Sequence, residues 1–147
     1  MSNKTAIVTA ASQGIGAACA RLLSQDHNLV IMSRSDKIFD LADELNCIGL
    51  QGSVTNPNDI EKFVNLSINT FGKIDFLINN TGHAPKGDLI NISDQDWYKA
   101  MDILFMNVVR ISRYVVPIMK NNNGGSIVNI SAFGAESPSL QFPTSSV

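Results

Sequence analysis

The chain has 147 residues, of which 44% are hydrophobic, and a formal net charge of −2. That length and apolar content suffice for one core of ordinary size, and a near-neutral balance without any run of Lys or Arg excludes a surface built to hold nucleic acid. The longest uncharged apolar stretch, 103–109, contains Asn107 and is too short to cross a bilayer, and the N-terminus lacks the long apolar core of a signal peptide, so a cytoplasmic protein is expected. Cys19 and Cys47 form no metal-binding or redox spacing and are read as reduced, buried thiols.

Residues 4–9 read as a short buried strand running straight into Ala10-Ala11-Ser12-Gln13-Gly14-Ile15-Gly16, which opens a helix rich in small residues. A tight strand-to-helix turn without bulk lets backbone N–H groups approach a pyrophosphate, and the helix start adds unpaired donors and the positive end of its dipole. Gly14 and Gly16 supply that room, and Ala17, Ala18 and Ala20 allow the helix to lie close to the strand. Glycines after a strand are by themselves a weak signal, because turns also use glycine for positive φ.

Further along, short continuous apolar runs at 29–32, 47–50, 76–78 and 127–130 join 6–9 as five strands expected to be buried on both faces. Helical stretches at 14–26, 36–45, 57–70 and 94–120 lie between them. Asn56 before Pro57 is an N-cap followed by the proline favoured at the first helical position, and Ser93 with Asp96 makes a capping-box pattern. Pro117 is expected to kink or shorten the last turn of the long helix. His27 reads as a residue capping the first helix through the dipole, and His83 as a loop histidine at the mouth of a cleft. With neither repeats nor low-complexity linkers, the whole chain, 1–147, is expected to form one α/β domain: a Rossmann-like, doubly wound parallel sheet of about five strands with helices on both faces. In such sheets ligands bind at the carboxyl ends of the strands. Ser12, Gln13, Ser33, Arg34, Ser53, Asn79 to Gly82 and Ser131 all follow predicted strands and converge on that rim.

Four segments together resemble the short-chain dehydrogenase/reductase family, from Thr5 to the last residues. Thr9 to Gly16 is similar to the family's TGxxxGxG turn, and Asp75-Phe76-Leu77-Ile78-Asn79-Asn80-Thr81-Gly82 to its D-x-L-x-NNAG strand end. Asn107 resembles its helix asparagine, and Gly125-Ser126-Ile127-Val128-Asn129-Ile130-Ser131 the strand that delivers its catalytic serine. The resemblance implies NAD or NADP as cofactor and hydride exchange between nicotinamide and an alcohol or carbonyl. Cofactor contacts are then expected from Ala10, Ser12, Gln13, Gly14, Ile15 and Gly16, from Ser33 and Arg34, from Ser53 and Val54, and from Asn79, Asn80 and Gly82. No metal is implied.

The end of the second strand reads Met32-Ser33-Arg34-Ser35, without the acid that would hold the ribose hydroxyls of NAD. Arg34 can fork onto a 2′-phosphate, with Ser33 or Ser35 adding a neutral donor, so NADP is expected over NAD; a solvated surface arginine is the plainer reading. The chain departs from the family pattern at Ala10, which replaces the first glycine of the turn, at Ser53 in place of an aspartate, and at Thr81 in place of an alanine.

At the catalytic end Asn107 matches. The serine position falls on Ala132, with Ser131 one residue early, and the tyrosine position falls on Ser145; the lysine position lies past the last residue. Tyr98 and Tyr114 both precede the serine strand and neither has Lys at the required spacing. The chain is therefore expected to carry the cofactor half of the family fold and to lack its C-terminal part, as a stretch of a longer protein would. The apolar residues of 94–120 cover more than one stripe, and in the family this helix pairs with its copy, so a homodimer or homotetramer with a small-molecule substrate is expected. The alternative is a dinucleotide-binding sensor or subunit that does no hydride chemistry.

Overall fold

A computed structural model describes residues 4–146 of the chain. Five strands, β1 (Thr5–Thr9), β2 (Asn28–Ser33), β3 (Ile48–Gln51), β4 (Phe76–Asn79) and β5 (Ser126–Asn129), form one sheet of order β3-β2-β1-β4-β5. All four pairings are parallel. Chain direction across the sheet reverses beside β1: the chain winds outward through β2 to β3, then crosses back to β4 on the other flank. A ligand crevice belongs at the carboxyl ends of the strands at such a switch point.

Helices α1 (Gly14–Leu23), α2 (Lys37–Glu44) and α3 (Pro57–Phe71) link the first four strands, and α4 (Asp94–Met101), a π-helical turn (Asp102–Met106) and α5 (Asn107–Asn121) lead to β5. Alternation along the strands divides the core in two. Ile7, Val30, Met32 and Leu77 pack against Ile60, Phe63 and Val64 of α3 and Ile111, Val115 and Met119 of α5. Ala6, Val8, Leu29 and Ile31 pack against Ala17 and Ala20 of α1 and Ile38, Leu41 and Ala42 of α2. The helix starts follow their local chemistry: Asn56 Oδ1 accepts from Asn58 N at 3.0 Å beside Pro57, and Ser93 Oγ accepts from Asp96 N at 3.2 Å.

Several expectations need correction. β3 and β5 are not doubly buried: they are the two sheet edges, β3 with no fully buried residue and β5 with Val128 47% exposed. Ala18 faces solvent, so Ala17 and Ala20 alone set the close approach of α1. The first helix ends at Leu23 rather than at residue 26, and His27 caps it through its backbone N–H, which donates to Leu23 O at 3.1 Å. The His27 imidazole instead pairs with Asp26 and meets Phe76 edge-on. The stretch 94–120 is helical throughout but not α-helical throughout: a π turn over Asp102–Met106 inserts an extra residue, and the Asn107 side-chain amide donates to the carbonyl of Ile103 within it. Pro117 does not end α5, which runs on to Asn121; Pro117 and Arg113, whose carbonyl the proline leaves without its helical donor, both lie at the exposed surface where water can serve. Cys19 and Cys47 are free and only half-buried, and burial pushes the Cys47 thiol up to about 11.

The carboxyl end of β1 is locked to that of β4. Thr9 Oγ1 donates to Asn80 O at 2.7 Å and accepts from Asn80 N at 3.0 Å, both buried, and Asn80 Nδ2 donates to Ala10 O at 3.1 Å. Ala10 itself sits at φ +48°, the left-handed region that a glycine adopts without penalty. The two neighbouring positions should therefore respond to substitution with opposite sign. Ala10→Gly is expected to raise stability by about 0.5–1 kcal/mol. Thr9→Val is expected to lower it by about 1–3 kcal/mol, since it leaves both backbone groups of Asn80 unpaired. Urea unfolding midpoints check both, and equal losses at the two sites would contradict the backbone geometry.

Candidate functional site

The carboxyl ends of β1, β2, β3 and β4 frame an open cleft of about 830 Å3. From the turn after β1 it is lined by Ala10, Ser12, Gln13, Gly14 and Ile15. Gly14 has φ +58° and no atom within 4 Å of where a Cβ would stand, so the backbone is open to the cleft at the first residue of α1. That arrangement presents N–H donors and the positive helix end to a bound anion.

At Gly16 the room left by the missing side chain is taken up by the protein itself. A Cβ there would lie 2.5 Å from Ala10 O and 2.7 Å from Asn80 Nδ2, so the missing side chain makes room for the protein's own lock between β1 and β4. Gly16 is buried and does not line the cleft.

The second wall follows β2 with Ser33, Arg34, Ser35 and Lys37, and the third follows β3 with Gly52, Ser53, Val54 and Thr55. Ser33 is buried and its hydroxyl donates to Ser35 O at 3.0 Å, which commits it to shaping the turn. Ser53 N donates to Asp59 Oδ2 at 3.0 Å, and the Ser53 hydroxyl pairs with that of Thr55 at 2.8 Å. Arg34 reaches across: its Nη2 lies 3.5 Å from the position a Cβ on Gly82 would take, and no hydrogen bond or ion pair engages the guanidinium among the described residues. The fourth wall comes from Asn80, Thr81, Gly82 and His83 after β4 and from Lys99, Asp102 and Ile103 around the end of α4. Asp102 is held by an ion pair with Arg110, one turn of α5 beyond the π segment.

Besides Gly16, four sequence-selected residues lie off the cleft. Asn79 is 3% exposed and lies behind the wall, its Nδ2 donating to Asn129 Oδ1 at 2.8 Å. It shares a tight internal layer with Asn107, Thr9 and Val54. Asn107 is buried and turned onto its own helix through the carbonyl of Ile103. Ser131 is exposed, two residues past the end of β5, so strand alternation does not govern its direction. Ser145 is half-buried, with its backbone N–H on Phe142 O at 3.1 Å. The buried hydroxyl of that segment belongs to its neighbour Thr144, which donates to Pro85 O at 2.7 Å and ties the C-terminal segment to the loop after β4. No hydrogen bond joins Asn107, Ser131 and Ser145 among the described residues.

Lys37, Lys99, Asp102 and Ile103 escaped the sequence reading. Lys37 stands three residues after Arg34 at a helix start, a visible signal, whereas the α4 residues are brought to the cleft by a long-range return of the chain that local spacing does not encode. Among the described residues no group of His, Cys, Asp and Glu is placed to hold a metal, and no helix is long and apolar enough to cross a membrane.

A family model described as short chain dehydrogenase matches residues 4–145. The chain is 33% identical over 132 residues to the 3-oxoacyl-[acyl-carrier-protein] reductase of Buchnera aphidicola subsp. Baizongia pistaciae, covering 86% of this chain and 54% of that protein. It is 34% identical over 150 residues to human dehydrogenase/reductase SDR family member 4, covering 97% and 54% of the two chains. Thus the chain spans about half the length of these relatives. Its structure superposes with a TM-score of 0.93 and 27% identity on L-sorbose reductase from Gluconobacter frateurii, solved with NADPH and L-sorbose, covering 99% of this chain and 59% of that one. The family model covers nearly the whole chain, whose sheet of order β3-β2-β1-β4-β5 superposes on that reductase; the chain belongs to the short-chain dehydrogenase family.

Proposed function

We propose that the chain forms the dinucleotide-binding part of an NADP-preferring oxidoreductase that exchanges hydride between nicotinamide and an alcohol or carbonyl substrate. The observation that carries this reading is the pairing, on adjacent walls of one cleft, of an open glycine turn with an arginine that has no partner among the described residues. NADPH occupies the similar structure of L-sorbose reductase, which favours the same cofactor here.

The residues fit that cofactor. The turn at Ser12 to Gly14 would receive the pyrophosphate on backbone N–H groups at the start of α1. Ser53 and Val54 would border the adenine, and Arg34 would fork onto the 2′-phosphate. Asn80 cannot swing freely into the cleft, because its amide is bonded to Ala10 O; it holds the turn in shape. Bound NADPH supplies the hydride. What the chain contributes is orientation of the dinucleotide along the strand ends. Asn107, Ser131 and Ser145 remain the residues assigned to proton handling, and their separation from the cleft favours a second reading in which this chain binds cofactor without turning it over. Neither Tyr98 nor Tyr114 lines the cleft. The exposed apolar side chains Tyr98, Met101, Phe105 and Val116 along 98–116 suit pairing with a second copy as homodimer or homotetramer.

Calorimetric titration tests cofactor choice. Arg34→Ala is expected to weaken NADPH binding by about tenfold or more while leaving NADH nearly unchanged. Equal losses for both would show that Arg34 acts through general charge or stability. The 147-residue chain is expected to bind NADPH yet show no steady-state hydride transfer with a panel of alcohols and carbonyls. A positioned acid or base typically contributes about 10²–10⁴-fold, and no phenol reaches the cleft. Robust turnover abolished by Ser131→Ala or Ser145→Ala would overturn that expectation and identify the substitute acid.

A further inference from the structure

The wall after β2 carries more positive charge than one arginine. Lys37 is the first residue of α2 and lines the same cleft as Arg34. We propose that Lys37 is a second specificity-determining residue, holding the 2′-phosphate jointly with Arg34; the inference rests on the NADP reading and extends it.

The argument starts from the ligand's valence. A phosphate monoester presents three terminal oxygens and a charge near −2 at neutral pH. The planar fork of an arginine satisfies two of those oxygens, and a compact ammonium suits the third. Neutral donors nearby are already engaged. The Ser33 hydroxyl is committed to Ser35 O, and the Ser35 hydroxyl accepts from Lys37 N at 3.3 Å and lies 3.4 Å from Asp36 Oδ1. The same Ser35 contact fixes the first turn of α2 and with it the place from which the Lys37 side chain departs. Lys37 is exposed and has no ion-pair partner among the described residues. Asp36, the carboxylate between the two serine and lysine positions, does not line the cleft. An NAD-selective wall would carry an acid here; this one carries two free cations three residues apart.

The test uses the full chain and two nucleotides that differ by one group, adenosine 2′,5′-bisphosphate and adenosine 5′-monophosphate. Lys37→Ala is expected to weaken the bisphosphate about tenfold and to leave the monophosphate unchanged, with Lys37→Arg restoring most of the loss. Lys62→Ala, on the exposed face of α3 and outside the cleft, should alter neither. A thermal unfolding midpoint equal to that of the unaltered protein confirms that Lys37→Ala folds. Equal effects on both nucleotides, no effect, or the same loss of discrimination in Lys62→Ala would overturn the assignment. Discrimination lost in Arg34→Ala but kept in Lys37→Ala would overturn this inference alone. If the unaltered protein bound both nucleotides equally, the NADP reading would fall with it.

Discussion

A parallel ladder sets β1 beside β4, two strands that are not sequential, and one hydroxyl ties their carboxyl ends together. Thr9 Oγ1 both donates to and accepts from the backbone of Asn80, and the Asn80 amide then holds Ala10 O. The two Thr9–Asn80 bonds are buried, so losing either leaves a desolvated partner, and that asymmetry makes the junction rigid rather than merely favourable. Gly16 exists where it does because any side chain would strike this junction. The turn that offers its N–H groups to the cleft is thus shaped from behind, by contacts the ligand never touches.

That junction also explains the strain at Ala10. Its carbonyl must point at Asn80 while the chain turns into α1, and the backbone reaches this only at φ +48°. The neighbouring Gly14 takes its own left-handed conformation on the open side of the turn, facing the cleft. One position is thus bent to serve the sheet and the other to serve the ligand. On the far wall the chemistry is electrostatic instead: the β2 end offers Arg34 and Lys37 where a carboxylate would select ribose hydroxyls, and Arg34 already leans over Gly82 in the absence of any protein partner.

Much of this was legible in the residues themselves. Apolar runs placed all five strands to within two residues, because strands covered by helices on both sides cannot carry polar side chains inward. The same logic failed for β3 and β5, whose runs look central yet form the two edges, since hydrophobicity reports what a strand is suited to and not what lies beside it. Gly16 was assigned to the ligand because sequence spacing cannot tell a glycine that admits a pyrophosphate from one that admits an asparagine 64 positions later, a contact only the fold creates. The π turn was invisible for a related reason: helical periodicity runs through it with a single inserted residue, and Asn107 reveals its place only by bonding Ile103.

The account depends most on the claim that the strand-end turns, braced by Thr9 and Asn80, form the cofactor-binding surface. Amide hydrogen exchange followed by NMR, with and without saturating NADPH, tests it residue by residue. Strong added protection is expected at the amides of Ser12 to Gly14 and of Thr81 and Gly82, with little change along β5 and the segment from Ser131 to Ser146. Unchanged exchange at the glycine turn of the folded protein, or protection confined to the C-terminal segment, would contradict the account.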